Sequence, residues 1–366
     1  MVNRLIVASF VMLLSIVSLH AQRIQVIDSD GTPVPFVTVT TSEGKYITSS
    51  DLDGWIEDLG KNTVIHLAQV AYKPLTIAVA DIKNGKITLE EVNYDLPEVV
   101  VKPKPYLYAQ TYFRDIYIDE EGPIYYRGGV IDNTYDLDKK EVKAKKRHLS
   151  KGSSGFLRFL IDRFCGPYDE FCQLPEKPYY ERLLKARDEG RLTLTDDGTG
   201  RLIIADSICQ LGYIYWDREA KLRTVSFDMD KYYYHHENAI NKAKAEKKGK
   251  TFEPDTLEQQ RVSRTLYQVY RTDSLGNSTP DDFVMSQFTK VGRFKHSGKV
   301  FLLQAQSYAT AYSYVNKKEY NQMRKDNKVE MNIQELRLFE KNNDIPPLAP
   351  NIQEQIDKLF VKELSK

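Results

Sequence analysis

Hydrophobic and polar residues alternate in short runs over residues 24–101 of this chain. The runs are rich in Val, Ile and Thr, and clusters of Gly, Asp and Asn separate them. They span residues 24–27, 36–41, 45–49, 63–68, 75–79 and 99–101. Strands with this spacing are typical of an antiparallel β-sandwich, and no helical period competes with them. The pattern predicts an all-β region whose turns use Gly31, Gly44 and Gly54 at positive φ.

Strand-like and helix-like patterns alternate after residue 103. Strands are predicted at residues 116–118, 124–126, 191–195, 201–205, 213–216, 222–227, 266–269 and 300–308. Helices are predicted at residues 156–164, at residues 180–189 before Gly190, and at the C-terminus. The last helix is predicted to begin at Asn351 as its N-cap. Its apolar stripe comprises Ile352, Ile356, Leu359, Phe360 and Leu364. With no βαβ rhythm and no repeat, these patterns predict an α+β domain built mainly on antiparallel sheet.

The N-terminal segment has the pattern of a secretory signal peptide. Arg4 precedes an apolar run at residues 5–17, and Ala21 is the small residue expected before a cleavage site. The alternative is a transmembrane anchor, but the run is shorter than the ~18 residues that such an anchor needs. A Lys-Pro-Lys-Pro linker at residues 102–105 favours extended backbone. The predicted organisation is therefore a signal peptide at residues 1–21, a β-sandwich at residues 22–102 and an α+β domain at residues 103–366.

Charge is balanced over the whole chain but not within its parts. The formal net charge of the 366 residues is +1. Cleavage after Ala21 would remove Arg4 and leave a mature chain with a net charge of zero. Residues 22–102 carry a net charge of −5 and residues 103–366 a net charge of +5, which suggests that the two regions dock. A neutral protein lacks the cationic excess that nucleic-acid binding needs, so no nucleic-acid partner is expected. Of the 24 tyrosines, 21 lie in the second region.

The N-terminal region resembles the carboxypeptidase-like regulatory domain. The resemblance rests on residues 30–39 (DGTPVPFVTV), residues 48–56 (TSSDLDGWI), residues 70–74 (VAYKP) and the strand at residues 96–101. Members of that family are transthyretin-like β-sandwiches, and a version of the domain precedes many TonB-dependent outer-membrane receptors. The resemblance implies the same fold for residues 23–102 and a location in the envelope of a Gram-negative bacterium, in the periplasm or at the outer membrane. Residues 103–366 resemble only uncharacterised bacterial envelope proteins.

Catalytic and metal-binding motifs are incomplete in this sequence. Zinc carboxypeptidases need an H-x-x-E pair, and no histidine here has Glu three residues later. Asp28-x-Asp30-Gly31 and Asp51-x-Asp53-Gly54 could be calcium ligands, but turn formation is the favoured interpretation. Residues 292–299 (GRFKHSGK) fail the phosphate-loop spacing, and residues 152–155 (GSSG) are not a nucleophile elbow. We therefore predict no catalytic residue, metal or cofactor.

Two groups of residues are candidates for a site or a cross-link. Three pairings of the cysteines are conceivable in an oxidising compartment, and the short bridge between Cys165 and Cys172 is preferred. Cys209 would then be the odd thiol. Tyr232, Tyr233, Tyr234, His235 and His236 form a dense cluster, interpreted as a surface or the start of a helix and as a candidate binding surface. The basic stretches at residues 139–147 and 242–250 are interpreted as solvated faces.

Two hypotheses for the function follow. The first is a non-catalytic secreted or envelope protein that serves as a binding or assembly module for a protein, a glycan or a lipidic ligand. It would not span the membrane after signal cleavage. The alternative is a hydrolase with an unrecognised active site in residues 103–366. A cleft with acid, His or Cys groups in mutual hydrogen-bond reach would favour the enzyme. A tyrosine-lined surface would favour binding, and an apolar tunnel would favour a lipid carrier.

Overall fold

A computed structural model of the chain describes residues 23–57, 59–92, 104–153, 171–249, 251, 263–293, 299–323 and 331–360. Over these residues the protein is mainly β, with three sheets in which one strand pairing is parallel and all the others are antiparallel. The strand predicted at residues 99–101, the helix predicted at residues 156–164 and Leu364 lie outside these ranges. No described helix combines the length and apolar composition needed to cross a membrane.

The first region consists of two small sheets around one core, and we call it the N-terminal sandwich. Its strands are β1 (Ile24–Ile27), β2 (Thr38–Thr40), β3 (Tyr46–Ser49), β4 (Trp55–Ile56), β5 (Val64–Gln69), β6 (Tyr72–Ala78) and β7 (Lys86–Thr88). One sheet has the order β4-β1-β7 and the other β3-β2-β5-β6. Val26, Val39, Ile65 and Leu67 are fully buried between them. The strands predicted within residues 24–79 are confirmed, and Gly31, Gly44 and Gly54 have φ of 82°, 77° and 74°.

The second region contains a ten-stranded antiparallel sheet, which we call the large sheet. Its strands are β8 (Tyr106–Asp119), β9 (Gly122–Asp136), β10 (Glu141–Ser153), β11 (Thr193–Asp196), β12 (Arg201–Ala205), β13 (Gln210–Asp217), β14 (Leu222–Asp228), β15 (Ser263–Arg271), β16 (Phe283–Arg293) and β17 (Val300–Val315). Their order is β10-β9-β8-β17-β16-β15-β14-β13-β12-β11. Neighbours in the sheet are neighbours in the chain except where β17 pairs with β8. That single long-range pairing joins the first three strands to the other seven.

Among the described residues, five α-helices accompany the large sheet. They are α1 (Tyr179–Asp188), α2 (Met229–Glu246), α3 (Lys317–Met323), α4 (Ile333–Asn342) and α5 (Pro350–Leu359). The predicted stop at Gly190 is confirmed by its φ of 70°. The predicted N-cap at Asn351 is wrong, because the N-cap of α5 lies two residues earlier, at Ala349, and Pro350 is the first residue of the helix. Proline suits that position since its fixed φ is helical and it needs no N–H partner.

The two faces of the large sheet pack against different partners, as the period of two along each strand requires. On one face Tyr112 and Tyr308 pack against α4, α5 and part of the N-terminal sandwich. On the opposite face Phe113 and Phe288 belong to a core that includes residues of α1. The sheet is therefore covered on both sides, and the N-terminal sandwich lies on the same side as α4 and α5.

The sequence patterns underestimate the lengths of the strands in the large sheet. The hairpin predicted at residues 116–126 is the tip of β8 and β9, which have 14 and 15 residues. Strand β16 was not predicted. The basic stretch at residues 139–147 contributes the turn before β10 and the first half of that strand, and its Lys139, Lys140 and Lys143 are exposed. Residues 242–249 are also largely exposed, as expected for a solvated face.

Candidate functional site

The N-terminal sandwich touches the large sheet through a small aromatic contact. Phe36 and Leu52 pack against Tyr213 of β13, and these residues are 6%, 9% and 5% exposed. Phe36 has a φ of 58°, which is costly for a bulky residue. Its N–H donates to the Ser50 carbonyl oxygen at 3.2 Å. The strained Phe36 is therefore held by packing on both regions, and this contact divides two clefts.

A buried polar layer makes a second contact between the regions. The amide of Gln304 donates to Thr38 Oγ1 at 3.1 Å, and the amide of Asn351 donates to Thr40 Oγ1 at 3.0 Å. Arg114 lies beside them, 3% exposed, with its guanidinium donating to Gln306 Oε1 at 2.6 Å. No ion pair joins the described residues of the two regions. Docking, expected from opposite charges, thus uses hydrogen bonds and aromatic packing instead.

One of the two clefts is lined by tyrosines and charged side chains, and we call it the tyrosine cleft. It has a volume of about 420 Å³, within the range of about 300–1,000 Å³ common for ligand sites. Its tyrosines are Tyr72, Tyr213, Tyr215 and Tyr267. Its charged residues are Asp28, Asp30, Glu91, Asp217, Arg201 and Arg271. The cleft therefore offers hydroxyl groups together with charges of both signs.

Turns position the carboxylates of the tyrosine cleft. Asp28 follows β1, and its Oδ1 accepts hydrogen bonds from the N–H groups of Asp30 at 3.0 Å and Thr32 at 2.8 Å. Asp217 ends β13 and accepts from the N–H groups of Glu219 and Ala220 in the same way. These bonds fix one oxygen of each carboxylate. The turn predicted for Asp28-x-Asp30-Gly31 is confirmed, and it lines the cleft opposite residues of the large sheet.

The two arginines of the tyrosine cleft contact protein groups without forming ion pairs. The Arg201 guanidinium lies 4.9 Å from the centre of the Tyr213 ring, which is a cation–π contact. Arg271 donates from Nη2 to the Asp281 carbonyl oxygen at 3.1 Å. Among the described residues, neither arginine has a carboxylate within ion-pair distance. The described residues therefore do not neutralise the charges of this cleft pairwise.

Burial and neighbouring charge perturb the titratable groups of the tyrosine cleft. Burial raises the pKa of Glu91, and repulsion from Asp28, Asp30 and Asp217 adds to the effect. Burial also raises the pKa of Tyr213 to about 12, and it raises the pKa values of Tyr72 and Tyr267. These tyrosines are therefore neutral hydrogen-bonding groups at physiological pH, and Glu91 holds its proton more tightly than an isolated glutamate.

The other cleft is lined by small hydroxyl side chains, and we call it the hydroxyl cleft. Its volume is about 530 Å³, and Thr48, Ser49, Ser50, Ser263, Thr265 and Thr289 contribute to its walls. Asp51 and Asp53 reach it from the second Asp-x-Asp-Gly turn, where Asp51 Oδ1 accepts from the N–H groups of Asp53 and Trp55. That turn is confirmed as well. Within the described ranges, no group of His, Cys and acidic side chains could hold a metal ion.

The hydroxyl cleft contains a cysteine that is poorly suited to nucleophilic catalysis. Cys209 lines the cleft, and burial together with Asp206 raises the pKa of its thiol. The reactive form of cysteine is the thiolate, so a raised pKa lowers its reactivity at neutral pH. No described histidine lines either cleft. A Cys–His pair of the kind needed for covalent catalysis is therefore not formed by the described lining residues.

The cross-link predicted between Cys165 and Cys172 stays a prediction, because Cys165 lies outside the described residues. Cys172 itself is fully buried, with its Sγ 3.1 Å from Asp115 Oδ1. Asp115 forms a buried ion pair with Arg127, which also lies over the Phe113 ring. This cluster lies on the face of the large sheet opposite the clefts. Its burial inside the core suits a structural role.

The tyrosine–histidine cluster predicted as a binding surface falls at the start of α2. Tyr232 packs against Phe227 with ring centres 5.7 Å apart, and its hydroxyl contacts Arg191. This packing lies on the opposite side of the sheet from the tyrosine cleft. Tyr233, Tyr234, His235 and His236 continue the helix, and the description does not extend to their side chains. The structure confirms the start of a helix, and the binding role stays a prediction.

The residues that line the tyrosine cleft were not singled out together from the sequence. Asp28 and Asp30 drew attention as turn residues, whereas Tyr215 and Tyr267 were two among many strand tyrosines. The sequence signals for this site are the Asp28-x-Asp30-Gly31 turn and the excess of tyrosine after residue 103. No protein-family model matches the chain, and no curated protein matches it.

Proposed function

We propose that this is a non-catalytic cell-envelope protein that binds a glycan in its tyrosine cleft. The envelope location rests on the signal-peptide pattern of residues 1–21, and the transthyretin-like nature of the N-terminal sandwich rests on the sequence resemblance. The observation that carries the binding proposal is the lining of the tyrosine cleft. Tyrosine hydroxyls, carboxylates and two arginines face one volume of ligand size. Such a lining matches the many hydroxyl groups of a sugar chain.

The position of the cleft on the sheet favours a glycan over an extended peptide. Peptides that bind by strand addition need the free edge of a sheet. On the large sheet the cleft is lined by residues of β12 to β16, and each of these strands is paired on both sides. Their backbone groups are therefore engaged, and a ligand must be recognised by side chains. The charged lining likewise argues against a lipid chain, since burying charges against hydrocarbon is unfavourable.

Tyr72 provides a sharp test of this proposal. It is 8% exposed and lines the cleft, and its hydroxyl forms no hydrogen bond within the described part of the chain. A Tyr72→Phe variant should therefore keep its stability but lose one hydrogen bond to the ligand. We expect oligosaccharide binding to weaken about five- to tenfold, as for a hydrogen bond worth about 1 kcal/mol. Titration calorimetry against a panel of neutral and amino oligosaccharides would measure this.

The matched control is Tyr46→Phe in the hydroxyl cleft, where Tyr46 bonds Ser49 at 3.1 Å. This variant should bind oligosaccharides like the unaltered protein. If Tyr46→Phe weakened oligosaccharide binding and Tyr72→Phe left it unchanged, the ligand would be assigned to the hydroxyl cleft. An unaltered protein that binds no member of the panel would refute the proposal as a whole.

A further inference from the structure

The tyrosine cleft carries an excess of negative charge, because four carboxylates but only two guanidinium groups of the described residues line it. Asp28, Asp30 and Glu91 come from the N-terminal sandwich, and Asp217 lies across the cleft on the large sheet. Ion pairs between these acids and protein cations are absent from the described residues. The whole protein carries almost no net charge, so the excess is a local property of this cleft.

Two deeply buried side chains present unused polar atoms beside these acids. Asp28 is 8% exposed, and its turn occupies Oδ1 only. Tyr72 is also 8% exposed and lines the same cleft, and its hydroxyl has no hydrogen bond within the described part of the chain. Asp28 and Tyr72 line the tyrosine cleft together with Tyr213, Tyr267 and Glu91.

We propose that the tyrosine cleft selects glycans that carry free amino groups, with the ammonium groups held by the carboxylates of Glu91, Asp28 and Asp217. The inference rests on the proposed glycan-binding function. A protonated amine donates three hydrogen bonds and accepts none, which suits acceptor-only carboxylates. An acetylated amine at the same sugar position is neutral and bulkier. It would give these carboxylates no cationic partner, and the described residues supply none within ion-pair distance.

Three tetrasaccharides with the same β-1,4-linked backbone isolate the amino group. They are the tetramers of glucosamine, of N-acetylglucosamine and of glucose. We expect the glucosamine tetramer to bind the protein at least about tenfold more tightly than the other two, as for one charge-assisted hydrogen bond. The preference should shrink as salt is raised from about 0.05 M to about 0.5 M, because salt screens exposed charges.

Glu91→Gln tests whether the preference comes from this cleft. Glutamine keeps the size of the side chain and removes its charge, so the preference for the glucosamine tetramer should fall several-fold. Glu90→Gln is the control, because Glu90 is the neighbouring residue, pairs with the exposed Lys73 and does not line the cleft. That variant should keep the full preference. A preference that is equally large in Glu91→Gln would overturn the inference by showing that the amine is held elsewhere.

The outcomes also separate the inference from the proposed function. Equal affinity for all three tetramers would refute selection for amines while leaving glycan binding in place. Binding of none of the tetramers, together with no binding in the wider panel, would remove the glycan-binding proposal and this inference with it.

Discussion

The two clefts flank the same contact, yet they differ in chemistry. Each receives an Asp-x-Asp-Gly turn from the N-terminal sandwich, at residues 28–31 and 51–54. In both turns the first aspartate accepts two backbone N–H groups with the same spacing. The tyrosine cleft then adds tyrosine rings and charged side chains from the large sheet, whereas the hydroxyl cleft adds Ser and Thr together with Asp228 and Lys231. The local Asp-x-Asp-Gly motif therefore determines the turn, and the residues of the large sheet across the cleft determine which ligands the cleft can bind.

Removing the Tyr213 ring should have the largest effect, because it would break the contact that separates the clefts. Tyr213 is 5% exposed and packs against Phe36 and Leu52. We expect Tyr213→Ala to lower the free energy of unfolding by about 3–5 kcal/mol, the usual cost of truncating a buried aromatic residue. Urea unfolding would measure this, with Tyr213→Phe as the control that keeps the ring. A loss below about 1 kcal/mol for Tyr213→Ala would show that the contact contributes little.

Replacing the two turn glycines by alanine should lower the stability of the protein less than Tyr213→Ala does, and by different amounts at the two turns. Gly31 and Gly54 both have positive φ, so either substitution carries a backbone cost of about 1–2 kcal/mol. A Cβ at Gly31 meets no atom within 4 Å, but a Cβ at Gly54 would lie 2.4 Å from the Val26 carbonyl oxygen. Gly54→Ala should therefore destabilise the protein by about 1–3 kcal/mol more than Gly31→Ala, because the clash adds to the strain.

Thermal or urea unfolding of the two glycine variants side by side would measure this difference. Equal destabilisation would mean that the turn at Gly54 relaxes away from Val26. The Asp-x-Asp-Gly turns at residues 28–31 and 51–54 would then tolerate a Cβ equally well, in addition to having the same hydrogen bonds.

The smallest expected effect is the pH dependence that Glu91 adds to the tyrosine cleft. Burial raises the pKa of Glu91 above its ordinary value of 4.5. The folded protein therefore binds this proton more tightly than the unfolded chain does. The resulting stabilisation is complete below pH 4.5 and is lost as pH rises through the raised pKa. Because Glu91 is only partly buried and solvent screens its charge, we expect less than about 0.5 kcal/mol.

Unfolding measured between about pH 4 and about pH 7 would detect the Glu91 contribution. The Glu91→Gln variant should lose less stability over this range than the unaltered protein, and the Glu90→Gln control should follow the unaltered protein. A steeper loss in Glu91→Gln than in the unaltered protein would contradict the sign of the shift.

Much of the secondary structure could be read from the sequence because it depends on local chemistry. Strands β1, β5 and β13 follow from runs of β-branched and aromatic residues, and Gly190 ends α1 where it was expected to. The N-cap of α5 was misplaced by two residues, because Pro350 at the first helical position outweighs the capping preference of Asn351. The Asn351 side chain instead donates to Thr40 and to the Thr41 carbonyl oxygen of the sandwich.

The length of the central strands was not visible in the sequence. Strands β8 and β9 carry Arg114, Asp115, Arg127 and Asp132 in buried positions, and such charges interrupt a hydrophobic pattern. Tertiary partners satisfy them, as when Arg114 donates to the Pro346 carbonyl oxygen more than 200 residues away. A charge is tolerated inside a sheet only when such partners are present, and a sequence window cannot reveal them.

The sequence by itself determined the sites of the turns, most of the strands and the uneven distribution of charge and tyrosine. These properties depend on residues close to one another in the chain. Only the tertiary structure decided that Asp28 and Glu91 face Tyr215, Tyr267 and Asp217 across one cleft. That arrangement depends on the docking of two separate sheets, and the docking rests on the packing of Phe36 against Tyr213 and on hydrogen bonds between distant residues.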